Sequence, residues 1–267
     1  MIRITLAGCT GWVGKALVAA IAAAPDLALV AGVSRKAAGR DLGEAAGLPA
    51  NGLPVFASVE EALAIPSDVL IDYTKPDSVK GNVLAAVAAG RHVVVGASGM
   101  TGEDYAEIDA AAKAAGVGVL AAGNFSVTAT LLRRFAREAA KYVPDVEIID
   151  YASAAKPDTP SGTGRELAET LGAERMAGTA KPVAELGGVR ETRGGAIGAP
   201  NPVQVHSVRM PGFVLSCEAL FGLPDERLVI RHDAGSSAAP YVGGTLLAAR
   251  RVAEQAGLRR GLDSLMG

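Results

Sequence analysis

The sequence has few cysteines and histidines: Cys9 and Cys217, and His92, His206 and His232, in 267 residues. Two distant cysteines build no disulfide framework, and the histidines do not gather around them, which argues against a structural zinc site and leaves no metal centre expected. A thiol-poor chain of this kind fits a reducing, cytoplasmic compartment. No apolar run approaches the ~20 residues of a membrane span. The opening MIRITLAG has no long apolar stretch with a cleavage site, so nothing in it suggests secretion. Surplus charge of either sign is also missing. The 26 Lys and Arg against 28 Asp and Glu leave a net charge of −2, without the basic excess that phosphate backbones require, so a nucleic-acid partner is not expected. With 49% hydrophobic residues, a disordered chain is excluded too. At roughly 100–200 residues per domain, the length suits one large domain or two modest ones.

What is present is a rhythm of short apolar runs and helical patterns up to residue 122. Ile2 to Ala7, Leu27 to Val33, Ser67 to Tyr73, His92 to Val95 and Gly116 to Ala121 read as strands, and Lys15 to Ala24, Ser78 to Ala89 and Glu103 to Ala115 as helices. That alternation predicts right-handed βαβ units and a Rossmann-type, doubly wound parallel sheet. After Gly123 the pattern changes. Ser126 to Val143 and Ser161 to Leu171 read as helices, Val146 to Tyr151 as a strand, and Gly187 to Pro202 as a long loop. Val203 to Arg209, Phe213 to Phe221 and Arg227 to His232 are consecutive β runs, which predict an α+β domain with a mostly antiparallel sheet. A helix over Ala239 to Gln255 ends the fold. The expected organisation is one domain over 1–124, a second over 125–236, and a C-terminal helical segment over 237–267.

The strongest local signal is Gly8-Cys9-Thr10-Gly11-Trp12-Val13-Gly14, directly after the first strand and at the start of the first helix. In such a position the first glycine permits the tight turn, the second lets the backbone approach a pyrophosphate, and the third lets helix and strand pack closely. The helix start then offers N–H groups and partial positive charge to the phosphates. The alternative is a glycine-rich turn without a ligand. About 20 residues further on, where an acidic side chain would bind a ribose 2′-hydroxyl, stand Ser34, Arg35 and Lys36, with Arg40 close behind. That set suits a 2′-phosphate, so NADPH is favoured and NADH is the alternative cofactor; a solvated basic loop is the other reading. Three further segments lie at carboxyl ends of strands, where ligands bind in open α/β sheets. They contain Tyr73 and Thr74, then Gly96, Ala97 and Ser98, and finally Gly123, Asn124 and Phe125.

With these segments in view, and with Asp158 to Thr163, His206 to Gly212 and Ile230 to Asp233, the chain resembles the 4-hydroxy-tetrahydrodipicolinate (dihydrodipicolinate) reductases over nearly its whole length. The resemblance implies hydride transfer from a nicotinamide to a cyclic, unsaturated imine dicarboxylate. It also implies a second domain that builds a homotetramer, and a C-terminal helix that returns to the nucleotide domain. It assigns Lys156 and the Gly162–Thr163 pair to a substrate carboxylate. The residues agree, since Ser161, Gly162 and Thr163 sit at a helix start and Lys156 supplies a full positive charge; a plain capping segment with a surface lysine is the alternative.

The chain also departs from the family. Alignment on Lys156 and Pro160 to Thr163 puts Ala152 and Ser153 where the family carries adjacent histidines, one of them the proposed proton donor, and no histidine stands anywhere from Tyr151 to Ala155. Imidazole is the side chain best matched to proton transfer near neutral pH. Lys156 is the catalytic candidate in its place, followed by Tyr151, bound water, or a substrate iminium that brings its own proton. His232 is read as structural. Trp12 stands where the family has a longer polar or basic side chain. Three functions are open at this level: a dipicolinate-type reductase, a diverged imine or imino-acid reductase on the same scaffold, and a non-catalytic NADPH-binding protein.

Overall fold

The computed structural model describes all residues except 157–158, 182–184, 189–193 and 267. It forms two compact units, Met1–Val127 with Ala238–Gly267, and Thr128–Ser237.

In chain order the first unit contains β1 (Ile2–Ala7), α1 (Trp12–Ala22), β2 (Leu27–Val33), α2 (Leu42–Ala46), β3 (Val55–Phe56), α3 (Val59–Ala62), β4 (Val69–Asp72), α4 (Val79–Ala88), β5 (His92–Val95), α5 (Gly102–Ala115) and β6 (Gly118–Ala121). The second contains α6 (Val127–Ala140), β7 (Asp145–Ala152), α7 (Gly162–Glu174), β8 (Gly194–Ile197), β9 (Val203–Arg209), β10 (Leu215–Leu223) and β11 (Glu226–Ala234). The chain then completes the first unit with α8 (Ala239–Arg251), a 3-10 turn at Val252–Glu254 and β12 (Gly257–Arg260).

The first unit is a seven-stranded sheet in the order β12-β6-β5-β4-β1-β2-β3, parallel throughout. Its strands are buried on both faces. Ile4, Leu6, Ile71, Val94 and Leu120 pack with Leu17, Val18 and Ile21 of α1 and Ala248 and Ala249 of α8. Leu70, Val93, Val95 and Val119 pack with Val83 and Val87 of α4 and Ile108 and Ala112 of α5. Two-sided burial explains why these strands read as continuous apolar runs rather than alternating ones. The register lines up Ala7 with Val33 and Asp72, Asp72 with Val95, and Val95 with Ala121. The loops that follow β1, β2, β4, β5 and β6 therefore leave from one edge of the sheet. The helices are locally encoded. Thr101 and Asp104 form a reciprocal capping box at the start of α5, and Gly116 closes it in the left-handed conformation.

The second unit is a five-stranded sheet in the order β11-β10-β7-β9-β8, with α6 and α7 on one face. Leu132 and Ala136 of α6 and Leu167 and Leu171 of α7 cover Ile148, Val205, Ala219 and Phe221. The β7–β9 pair is parallel and the other three pairs are antiparallel.

Three details differ from the sequence reading. β9 and β10, neighbours in sequence, do not pair. β7 lies between them, because the crossover through α7 is long enough for a parallel partner. The stretch read as a long loop contains β8, a Gly-Gly-Ala-Ile edge strand with little β propensity of its own; residues 189–193 of that stretch lie outside the described residues. The terminal helix stops at Arg251, and β12 follows and pairs with β6. No helix among the described residues is long and apolar enough to cross a membrane.

Candidate active site

In the first unit the glycine motif makes the turn from β1 into α1. Gly8 adopts φ +80°, and a Cβ there would lie 2.5 Å from the Tyr73 carbonyl oxygen; a Cβ on Gly14 would lie 2.1 Å from the carbonyl oxygen of Gly8. Only glycine permits this closeness of loop, helix and β4. Gly11 is the N-cap of α1 and provides no side-chain cap, and the first turn, Trp12, Val13, Gly14 and Lys15, has no acidic residue. The Lys15 N–H donates to the Gly11 carbonyl at 3.0 Å, and the N–H groups of Trp12, Val13 and Gly14 before it keep their partial positive charge for an anion. This cradle fits the pyrophosphate of a dinucleotide.

Beside it, Thr10 Oγ1 and Ser34 Oγ share a hydrogen bond of 2.9 Å that ties the glycine loop to the end of β2. Arg35, Lys36 and Arg40 follow, all exposed. Trp12 is 53% exposed and meets Tyr241 of α8 edge to face. Along the same sheet edge, Asp72 is fully buried and accepts from Thr74 N at 2.7 Å, Thr74 Oγ1 at 2.6 Å and Asn82 Nδ2 at 2.8 Å. Burial pushes its carboxyl above the usual carboxylate range, and those three donors pull the other way. Thr74 is thus fixed by a carboxylate that composition and spacing did not single out.

Tyr73 is turned inward. Thr245 Oγ1 donates to the Tyr241 carbonyl, so the Tyr73 hydroxyl is the donor in its 2.6 Å bond to Thr245 Oγ1. Its ring tilts against Phe125 and occupies the space a Cβ on Gly96 would need. Tyr73 and Phe125 can therefore offer a ligand their backbone, while Ala97, Ser98, Gly123 and Asn124 are at least partly open to solvent. Asn124 Oδ1 accepts from Ser126 N at 2.8 Å.

In the second unit, Ser161 is the N-cap of α7 and its hydroxyl accepts from Gly164 N. Gly162 and Thr163 are the first two helical residues, at the positive end of the helix dipole. Lys156 closes a turn after β7, its N–H donating to the Ser153 carbonyl at 3.1 Å. Pro157 and Asp158 of the same signature lie outside the described residues. Beneath this segment Asp150, fully buried on β7, accepts from Ser161 and pairs with Arg209 at 2.8 Å. Sequence reasoning gave neither a role: Asp150 is a lone Asp in a strand, and Arg209, though inside the His206 to Gly212 segment, lies 59 positions away.

Alternation along β7 puts Asp150 and Ala152 on the helix-covered face and Tyr151 on the other. The Tyr151 hydroxyl donates to Glu218 Oε1 at 2.8 Å and its ring lies beneath Arg231, so it is committed away from Ser161. His206 pairs with Glu147 at 2.9 Å on that same outer face. His232 lies on the helix-covered side, with Nδ1 3.1 Å from Thr128 Oγ1. Burial holds its imidazole below the usual histidine range. Among the described residues no cluster of His, Cys, Asp and Glu forms a metal site.

A doubly wound parallel sheet with an anion cradle after β1, joined to a mixed-sheet unit with a second helix-start site, defines the two-part class of NAD(P)-dependent oxidoreductases. Comparison with known proteins narrows this. The family profile described as "Dihydrodipicolinate reductase, N-terminus" matches residues 2–125, and its C-terminal counterpart matches residues 128–266. A 4-hydroxy-tetrahydrodipicolinate reductase of Synechococcus elongatus is 37% identical over 99% of this chain and 98% of its own. One of Syntrophomonas wolfei is 34% identical with the same coverage. The dipicolinate-bound dihydrodipicolinate reductase of Paenisporosarcina sp. TG-14 superposes with a TM-score of 0.81 at 30% identity over 99% of both chains. An amine dehydrogenase of Mycobacterium smegmatis, at 16% identity and a TM-score of 0.67, shares the fold alone. The chain belongs to the dihydrodipicolinate reductase family, whose members are NAD(P)H-dependent oxidoreductases.

Proposed function

We propose that this protein is an NADPH-dependent reductase of a cyclic, unsaturated imine dicarboxylate of the dihydrodipicolinate type, acting in lysine biosynthesis. The reduced nicotinamide, when bound, supplies the hydride. Gly8, Thr10, Gly11, Trp12, Val13 and Gly14 hold the dinucleotide phosphates, and Ser34, Arg35 and Lys36 take the 2′-phosphate. Backbone and side chains at Tyr73, Thr74, Gly96, Ala97, Ser98, Gly123, Asn124 and Phe125 line the strand edge toward the nicotinamide. Lys156, Gly162 and Thr163 grip a substrate carboxylate; Ser161, expected to join them, has its N–H and hydroxyl both donated to Asp150 and holds the turn that presents them.

The observation that carries the reading is the start of α7. The backbone N–H groups of Gly162 and Thr163 stand there at the positive end of the helix dipole, six and seven residues after a lysine, on a buried polar support. The Paenisporosarcina relative, by its description, binds dipicolinate, a dicarboxylate of this shape. Lys156 is also the proton-bearing side chain that the segment retains, and so the catalytic candidate. A homotetrameric state rests on the family resemblance, and the half-exposed Leu228 and Val229 on edge strand β11 are consistent with a partner. The two buried free thiols, Cys9 and Cys217, accord with a cytoplasmic setting.

A second reading has its own support. Ala152 and Ser153 provide no imidazole where the family places its histidines. On that reading the scaffold keeps carboxylate recognition and reduces a different imine or imino acid. NADPH oxidation measured with 4-hydroxy-tetrahydrodipicolinate, with simple cyclic imines, and with 2-oxo acids plus ammonia separates the two. Turnover on the first supports the main reading. Turnover only on the others supports divergence, and then histidines at Ala152→His and Ser153→His restore dipicolinate-type activity. Tight NADPH binding with no turnover on any member of the panel contradicts both.

A further inference from the structure

Asp150 is the one ionisable side chain on the helix-covered face of β7, where its neighbours are Val146, Ile148 and Ala152. Its carboxylate is fully committed. The Ser161 N–H donates to Oδ2 at 2.8 Å and the Ser161 hydroxyl donates to Oδ1 at 2.5 Å. The Arg209 side chain, 6% exposed, donates through Nη2 to Oδ2 at 2.8 Å, and through Nη1 to the carbonyls of Asp150 and Val208 at 3.1 and 2.9 Å.

Two glycines show how α7 rests on this pair. A Cβ on Gly164 would come within 3.1 to 3.3 Å of the Asp150 Cβ, Cγ and Oδ1, so the helix start sits directly on the carboxylate. A Cβ on Gly162 would meet nothing within 4 Å, so packing within the protein does not require a glycine there. Open space over an N–H at the first helical position is what an approaching anion needs.

The Ser161 hydroxyl has one proton, which goes to Asp150, and it accepts from Gly164 N at 3.1 Å. It has no proton left for a ligand; its contribution is to fix where Gly162 and Thr163 stand. The arrangement also creates an electrostatic problem. A buried carboxylate directly under an anion site repels the anion through low-dielectric protein.

We propose that Asp150 and Arg209 are the positioning pair of the carboxylate site: Asp150 locks the first turn of α7 through Ser161, and Arg209 cancels the negative charge this places beside the bound substrate. The inference rests on the carboxylate-binding reading of Lys156 and Gly162–Thr163. It assigns roles to two residues that lie outside the Lys156 to Thr163 segment, with neither touching the substrate.

The test is calorimetric titration of dipicolinate into the full-length protein saturated with NADPH. The variants are Arg209→Gln and the double variant Asp150→Asn with Arg209→Gln, in which both groups are neutral. Arg209→Gln leaves the Asp150 charge uncompensated and weakens binding by about tenfold or more. The double variant removes that charge, keeps an acceptor for Ser161, and returns to within about threefold of the parent although the ion pair is gone. A merely structural pair gives the opposite order, with the double variant no better than the single one, and that result overturns the proposal. So does an Arg209→Gln protein that binds within about twofold of the parent. If Arg209→Gln is unfolded by circular dichroism, the folded double variant decides: near-parental affinity supports the proposal, and a loss of about tenfold overturns it. Lys156→Ala is titrated alongside. Equal affinity of Lys156→Ala and the parent, or no binding by the parent, removes the carboxylate reading itself. A weakened Lys156→Ala with an unaffected Arg209→Gln removes only the positioning pair.

Discussion

Trp12 stands edge to face against Tyr241, with ring centroids 5.7 Å apart and planes at 68°. It is the chain's only tryptophan and the first residue of α1, at the anion cradle. Its emission therefore reports the dinucleotide site without interference. On the proposed placement of the dinucleotide, binding of NADPH quenches Trp12 and sensitises nicotinamide emission by energy transfer from the indole. Unchanged Trp12 emission under saturating NADPH contradicts the placement.

The basic residues after β2 make a separate prediction about cofactor choice. Replacing Arg35 and Lys36 together by alanine removes two charged donors to a 2′-phosphate. Each such bond is worth about 1.5–3 kcal/mol at best, less where exposed. The ratio of kcat/KM for NADPH to that for NADH falls by about tenfold or more, with NADH values nearly unchanged. Equal losses with both cofactors contradict the assignment.

Gly162 gives a prediction in which stability and binding move in opposite directions. Alanine there fills open space and is the better helix former by about 0.5–1 kcal/mol. Gly162→Ala therefore matches or exceeds the parent in thermal stability while its KM for the substrate rises. A KM unchanged from the parent contradicts a carboxylate at that N–H.

His232 links stability to pH. Burial lowers its pKa in the folded protein below the ordinary imidazole value of 6.5, so the unfolded chain binds the proton more tightly. The stability this neutral imidazole contributes is fully present above pH 6.5 and is lost as pH falls below it, at no more than ~1.4 kcal/mol per pH unit. Half-buried His92, also lowered by burial, adds a similar slope. Denaturant midpoints between about pH 7.5 and 5.5 therefore fall less steeply for His232→Gln than for the parent. Equal slopes contradict the account.

The sequence made one half of the molecule much more legible than the other, for physical reasons. β1, β2, β4, β5 and β6 are buried on both faces and stand out as apolar runs, and the glycines at 8 and 14 mark a backbone approach that no other residue tolerates. The edge strands β8 and β12 read as Gly-Gly-Ala-Ile and Gly-Leu-Arg-Arg, which have the composition of loops and are strands because a neighbour pairs with them. The insertion of β7 between β9 and β10 depends on crossover length and packing of α7, not on local pattern. The Asp150–Arg209 contact spans 59 positions, and the commitment of Tyr151 to Glu218 spans 67, so neither is visible without coordinates. The start of α7 was legible because Ser-Gly-Thr after a proline is helix-capping chemistry as well as anion-site chemistry.

The most direct test of the central claim, a dinucleotide pyrophosphate at the amino end of α1, is calorimetric titration of NADPH into the parent and into Gly14→Ala, whose added Cβ would lie 2.1 Å from the Gly8 carbonyl oxygen. The account predicts one site per chain, with a dissociation constant in the micromolar range, about −8 kcal/mol, and its loss in the folded variant. No binding of NADPH or NADH by the parent, or equal binding by Gly14→Ala, would contradict it.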